Sequence, residues 1–242
     1  QVALAANEDL SSHTNHDDWT AISTATELTG IDKAGNYYLT DNVTLTENEA
    51  WKPADGVVLC LNGKSIQASG NFDVITVNNG VTFTLCDCSG DSGKITNGYK
   101  DGGSQKYPGR GVSVSKNGTF TMYGGSITDN TEGGVFVGSN RTFTMNGGSI
   151  TGNTVTGSGG GVYVASGAEF TMNGGEITGN TSSSYGGGVY VCNGAKFTMT
   201  DGSITGNAAS SNENKSYGGG VYVQKDAIKF TMTGGSITGN KA

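Results

Sequence analysis

Charge is scarce in this sequence. Asp, Glu, Lys and Arg together make up 14% of the 242 residues, against about a quarter in an ordinary soluble domain. Proline occurs only twice, and so does histidine. No apolar run reaches the roughly 18 residues that a membrane-spanning helix needs, so no membrane span is expected. Four cysteines are too few for a disulfide-dense scaffold. The net charge of −7 favours solubility and argues against nucleic acid or an anionic membrane surface as a partner. What is plentiful is glycine, 42 residues of it, alongside much Thr, Ser and Asn. That mixture argues against a helical protein. It does not signal disorder, because the apolar residues recur on a strict pattern.

The pattern is an internal repeat. Five segments can be stacked from Gly111 onward, each resembling GVYVASGAEFTMNGGEITGN. Their phenylalanines are Phe120, Phe143, Phe170, Phe197 and Phe230, at steps of 23, 27, 27 and 33 residues. Nearly all the extra length sits between the closing Asn and the next Gly-Val, at 154–159, 181–185 and 208–217. Insertions confined to one corner read as surface loops on a repeating frame. Within a unit, Gly-Val-x-Val, Phe-Thr-Met and Ser-Ile-Thr alternate apolar with polar or small residues and read as three short strands with Gly-rich corners. Alternation sends Val162, Val164, Phe170, Met172 and Ile177 to one side, and Tyr163, Thr171, Glu176 and Thr178 to the other. Such a unit cannot bury its apolar side alone. Wound as one coil of a solenoid it can, because each strand pairs with its equivalent in the next coil.

The expected fold is therefore all-β, a parallel β-helix with three short strands per coil of about 23–33 residues. Columns of Phe, of Met (Met122 to Met232), of Ile (Ile127 to Ile237) and of Val fill its core. Burying each such side chain is worth roughly 1.5–3 kcal/mol. Asn130, Asn153, Asn180, Asn207 and Asn240 form a further column at the corner after the Ile strand. Asn tolerates left-handed corners and bonds neighbouring backbone, so a structural ladder is favoured there over a set of ligands.

Residues 36–110 read as degenerate opening coils, in which Leu59–Ile66 and Phe83-Thr84-Leu85 align with the Phe-Thr-Met unit. Residues 1–35 are expected to form an N-terminal segment and cap, of which 7–35, carrying Trp19, Ile22 and Leu28, fit no coil. Val2-Ala3-Leu4-Ala5-Ala6 has the small-x-small pattern of a signal-peptidase site and reads as the tail of a removed signal peptide. Residues 111–242 comprise the five regular repeats and stop at a repeat boundary, which is expected of a piece of a longer chain.

Catalysis on polysaccharides needs clustered carboxylates on one outer face. No outward column holds two. The column before Phe reads Thr119, Thr142, Glu169, Lys196, Lys229, and Glu169 beside Lys196 reads as a cross-coil ion pair. Glu176 and Asp201 make one weak pairing across a corner, so a non-catalytic protein is expected, with no catalytic residue and no cofactor. His13 and His16, with Asp17 and Asp18, form a possible chelating set, but solvated cap residues are the favoured reading and no metal site is assigned. Asp87 and Asp91 read as a plain turn rather than a Ca²⁺ loop. Cys86-Asp87-Cys88 is too tight for the usual zinc CxxC pair. For Cys60, Cys86, Cys88 and Cys192, a bridge from Cys60 to Cys86 or Cys88 and idle buried thiols stay equally open. Thr ladders on the outer face are explained by β-propensity and cross-strand hydroxyl bonding.

One outward column is the candidate ligand site. Ser113, Phe136, Tyr163, Tyr190 and Tyr222 each lie between two inward Val, and successive rings about 5 Å apart would form an exposed stripe. Tyr185 and Tyr217, at the ends of two inserts, are placed near it. Tyrosine faces suit sugar rings. The competing reading is a stripe covered by the inserts or stacked on itself.

The GGGVYV…FTMNGGSITGN unit, together with the LNGKSI and CDCSG stretches, resembles right-handed parallel β-helix repeats of large secreted surface proteins from Gram-positive gut bacteria, distantly akin to the pectate-lyase-like fold. The resemblance spans roughly Tyr37 to Asn240. It implies a right-handed helix and a secreted or cell-surface location. It also implies a module that acts as an adhesin or glycan-binding scaffold, with a structural stalk or a polysaccharide-cleaving enzyme as alternatives. Fold alone does not carry chemistry.

Overall fold

A computed structural model describes residues 10, 13–46, 49–97, 108–210, 217–227 and 229–242. The signal-like Val2-Ala3-Leu4-Ala5-Ala6 lies outside the described residues. The chain winds as a right-handed parallel β-helix. Three all-parallel sheets of nine, eight and six strands run the length of the solenoid. The nine-stranded sheet collects the Phe-Thr-Met strands, such as Thr142–Met145 and Glu169–Met172; the eight-stranded sheet collects Ser-Ile-Thr; the six-stranded sheet collects Val-x-Val. We call them the Phe, Ile and Val sheets.

Register follows from the repeat. Phe143 pairs with Phe170, Ile150 with Ile177 and Val135 with Val162, each one coil apart. A one-residue slip would turn every apolar side chain outward, so the period-2 pattern holds the pairing in place. The inserts are more ordered than surface loops. Thr154–Val155, Thr181–Ser182 and Ala208–Ala209 form a fourth, three-stranded parallel sheet. The two residues that follow Asn153, Asn180 and Asn207 are still held one coil spacing from their equivalents, so backbone pairing continues until the insert lengths diverge.

Within the core, like side chains stack on like. Phe83, Phe120, Phe143, Phe170, Phe197 and Phe230 make a continuous stack with centroid spacings of 4.7–5.7 Å, and Trp51 meets Phe83 edge-on at the N-terminal end. Offset stacks of this kind add about 0.5–1.5 kcal/mol per pair to simple burial. The last coil is less protected: Met232 is 41% exposed where Met199 is fully buried.

The corner asparagines form a ladder. The Oδ1 atoms of Asn153, Asn180, Asn207 and Asn240 each accept from both the backbone N–H and the Nδ2 of the preceding Asn, at 2.9–3.0 Å. Nδ2 also donates to an Ile carbonyl one coil back, as Asn153 does to Ile127. Beside the ladder the chain admits only glycine. A Cβ at Gly161 would sit 2.6 Å from the Gly188 carbonyl oxygen and 2.8 Å from the Ile177 side chain, and no backbone shift relieves that without breaking the coil spacing.

The N-terminal segment is both cap and incomplete coil. Thr20–Ile22 pairs in parallel with Tyr37–Leu39, so it starts the Phe sheet rather than standing apart from it. The short helix Ala25–Thr29 then crosses the end of the core with Leu28 buried, and a capping box between Thr24 and Glu27 closes its first turn.

Candidate functional site

The outward column of the Val sheet is continuous. Phe136 stacks on Tyr163 (5.4 Å), Tyr163 on Tyr190 (5.1 Å) and Tyr190 on Tyr222 (5.5 Å). Parallel in-register pairing dictates this, because Phe136, Tyr163, Tyr190 and Tyr222 are Cα partners in successive strands. This is the self-stacked alternative to an exposed stripe. Rings that stack along the helix axis hide their faces in one another and turn their edges outward. The face of Phe136 that points to the N-terminal end is covered as well, by the Arg110 guanidinium 4.5 Å from the ring centroid.

The inserts decide how much of the column is open. Tyr185 reaches back over it, 4.8 Å from Tyr222 and 6.4 Å from Tyr190, and stacks on Tyr217 of the next insert at 5.9 Å. Tyr190 is consequently buried, at 7% exposure, whereas Tyr217 at the outer edge is 54% exposed. Both inserts run through a parallel bridge between Tyr185 and Tyr217. Phe136 and Tyr163 lie beyond their cover. There the 154–159 insert leaves a shallow cleft of about 380 Å³ lined by Arg110, Glu132, Phe136, Tyr163 and residues 155–159.

Polar groups around the cleft are positioned by the coil. Arg110 is held by Asp73, which accepts its backbone N–H at 2.8 Å and lies 3.7 Å from its guanidinium. The Cys192 thiol donates to the Tyr163 hydroxyl at 3.1 Å. Burial, and then the Cys192 contact, push the Tyr163 phenol above its ordinary value, and burial does the same to Tyr190. Both stay neutral across the physiological range and serve as hydrogen-bonding groups rather than as bases.

Four of the acidic residues that the sequence singled out, Asp87, Asp91, Glu169 and Asp201, have partners in the fold. Asp87 is buried and accepts the backbone N–H of Gly63 and Gly93 at 2.8 and 2.7 Å. Asp91 accepts the N–H of Gly125 at 2.6 Å. These carboxylates brace corners of three coils, which is the work of a structural turn. Glu169 and Lys196 do pair, at 3.8 Å and about half exposed; such a pair contributes about 0–1 kcal/mol. Asp201 accepts the N–H of its own neighbour Gly202.

The two histidines are not the solvated cap residues expected of them. Both are half-buried, His13 stacked on Trp19 and His16 on Tyr38 at 4.2 Å, while Asp17 and Asp18 are exposed. All four cysteines are free thiols. Cys60 and Cys86 are register partners whose side chains face away from the core, beneath the N-terminal segment. One ligand atom each from His13, His16, Cys60 and Cys88 lies within 4.8 Å of the other three; nothing in their spacing announces this, although the alignment of Leu59–Ile66 with the Phe-Thr-Met unit does place Cys60 on the outward side. Comparison with protein-family models, curated proteins and solved structures finds no match.

Proposed function

We propose that this chain is a non-catalytic, secreted or cell-surface β-helix module that binds glycan at the cleft beside Phe136 and Tyr163. One observation carries the reading. At that place the aromatic column emerges from under the inserts, with Arg110 and Glu132 in the cleft wall. Aromatic edges with a few fixed polar groups around a concave surface are what a small polar ligand needs. Charged planar side chains suit vicinal hydroxyls through paired hydrogen bonds. The resemblance to surface-protein repeats supports the location. The contact is confined to about one coil, since Tyr190 is covered.

The test is a glycan array probed with the intact chain, followed by titration of any hit. Arg110→Ala and Phe136→Ala/Tyr163→Ala are expected to weaken binding at least tenfold. Tyr217→Ala, on the far side of the inserts, is expected to leave it unchanged. An array without hits, or hits indifferent to Arg110 and Tyr163, sinks the glycan reading. It would leave the second reading, a structural spacer. That reading is favoured by the Tyr185–Tyr190–Tyr222 stack, where the same column is spent on fastening inserts. Release of reducing or unsaturated ends from polysaccharide would revive an enzymatic reading.

A further inference from the structure

Residues 13–19 fold back over the outer face of the Phe sheet and bring two imidazoles to two thiols. Leu10, Val58, Cys60 and Cys86 form a small apolar cluster there, outside the main core, with Trp19 and Tyr38 packed against it. Inside it, one ligand atom each from His13, His16, Cys60 and Cys88 lies within 4.8 Å of the other three.

The details look built rather than incidental. The Nδ1 of His13 lies 3.4 Å from the Leu10 carbonyl oxygen. A carbonyl can only accept, so a hydrogen bond there would place a proton on Nδ1 and leave Nε2 as the nitrogen able to bind a metal. That Nε2 is buried and has no hydrogen-bond partner. An orphaned ring nitrogen is costly, and a ring whose other nitrogen donates to a carbonyl is the usual outer-shell arrangement of a metal-bound His. The Nε2 of His16 lies 3.7 Å from the Cys88 Sγ, close to the ~3.5 Å edge of a tetrahedral zinc site with sulfur and nitrogen ligands. Trp19 and Tyr38 hold both rings by stacking. Cys88 also donates to the Asn62 side-chain oxygen at 3.4 Å, a contact that metal binding would replace, while Cys86 donates to the Leu59 carbonyl oxygen at 3.6 Å and lies outside the four-atom cluster.

We propose that His13, His16, Cys60 and Cys88 form a closed tetrahedral site for Zn²⁺ that pins the N-terminal cap to the first coils. Two thiolates and two imidazoles select zinc over the oxygen-seeking Ca²⁺ and Mg²⁺, and four protein ligands leave no open position for catalysis. The site is independent of the glycan cleft. It joins a segment with little sequence pattern of its own to strands of the solenoid, so metal affinity is converted into docking of the cap.

The experiment uses the full chain, reduced and stripped of metal by a chelator. Titration with Co²⁺ is expected to give one equivalent bound, with the visible bands of tetrahedral cobalt and a thiolate charge-transfer band, both abolished when Zn²⁺ displaces it. Zn²⁺ is expected to raise the thermal midpoint and to protect the N-terminal segment from proteolysis. Cys88→Ser and His16→Gln, both at partly exposed positions, are each expected to remove the tetrahedral spectrum and the thermal shift. Cys192→Ser is the control and is expected to keep both. The proposal is overturned by an octahedral cobalt spectrum in fully reduced protein, or by equal binding in His16→Gln. It is also overturned if the protein, purified with zinc present, is two hydrogens lighter because Cys60 and Cys88 have formed a bridge.

Discussion

Each corner asparagine answers for several backbone groups at once. The Oδ1 of Asn153 takes the N–H and the Nδ2 of Asn130, while its own Nδ2 supplies the Ile127 carbonyl. No other side chain of that size offers both an acceptor and two donors in this geometry. Asn153→Ala would leave buried donors and an acceptor without partners, and is expected to cost about 2–4 kcal/mol. Asn240→Ala, at a partly exposed position, is expected to cost less than half as much. Denaturant unfolding midpoints of the two variants check the contrast; equal costs would mean that the ladder is not what holds the corner.

At the scale of an element, the short helix of the cap depends on one carboxylate. Glu27 accepts from the Ser23 N–H at 2.7 Å, the Ser23 hydroxyl at 2.9 Å and the Thr24 N–H at 3.2 Å. The Ser23 backbone bond, first among these, holds the Glu27 carboxyl below its ordinary value of 4.5. A depressed acid stabilises the fold fully above its unfolded value and loses that contribution as pH falls through its lower folded value. The acid titration followed at the Ser23 amide proton is therefore expected to have its midpoint below that of an unconstrained glutamate. Glu27→Gln is expected to remove that titration from the amide. The inserts are the other element whose role lies in its partners. Their first two residues extend the solenoid backbone, and Tyr185 closes over the Val-sheet column with Tyr217 stacked on its outer side.

For the whole molecule, stability is a sum over coils and the contacts between neighbours. Deleting residues 154–180 removes one 27-residue step, that between Phe143 and Phe170, and joins Asn153 to Thr181 with every column still in phase. The shortened chain is expected to fold with the same β-type circular dichroism and a lower thermal midpoint. A deletion of ten residues within the same stretch breaks the phase and is expected to prevent folding of the coils that follow. If both variants fold alike, the columns do not control register.

The Phe, Ile, Val and Asn columns were legible before any coordinates, because each repeat places the same chemistry at the same point and a solenoid turns that recurrence into contact. The ion pair of Glu169 with Lys196 was legible for the same reason. The aromatic column was only half legible. Its spacing along the axis follows from the repeat, but the direction of its ring faces and the burial of Tyr190 depend on how unequal inserts fold over it. The meeting of His13 and His16 with Cys60 and Cys88 was not legible at all. Those residues lie in a segment outside the repeat and in two degenerate coils, so no spacing relates them.

The sequence by itself therefore determined the cross-section of the solenoid: what is inside, what turns the corners and which face receives the extra length. Periodic chemistry needs only local alternation and coil-to-coil pairing to be read. The tertiary structure alone decided where that solenoid has an open cleft and where it gathers two thiols under two imidazoles. Both depend on the path of non-repeating segments across the outer faces, and that path follows from packing between residues distant in the chain.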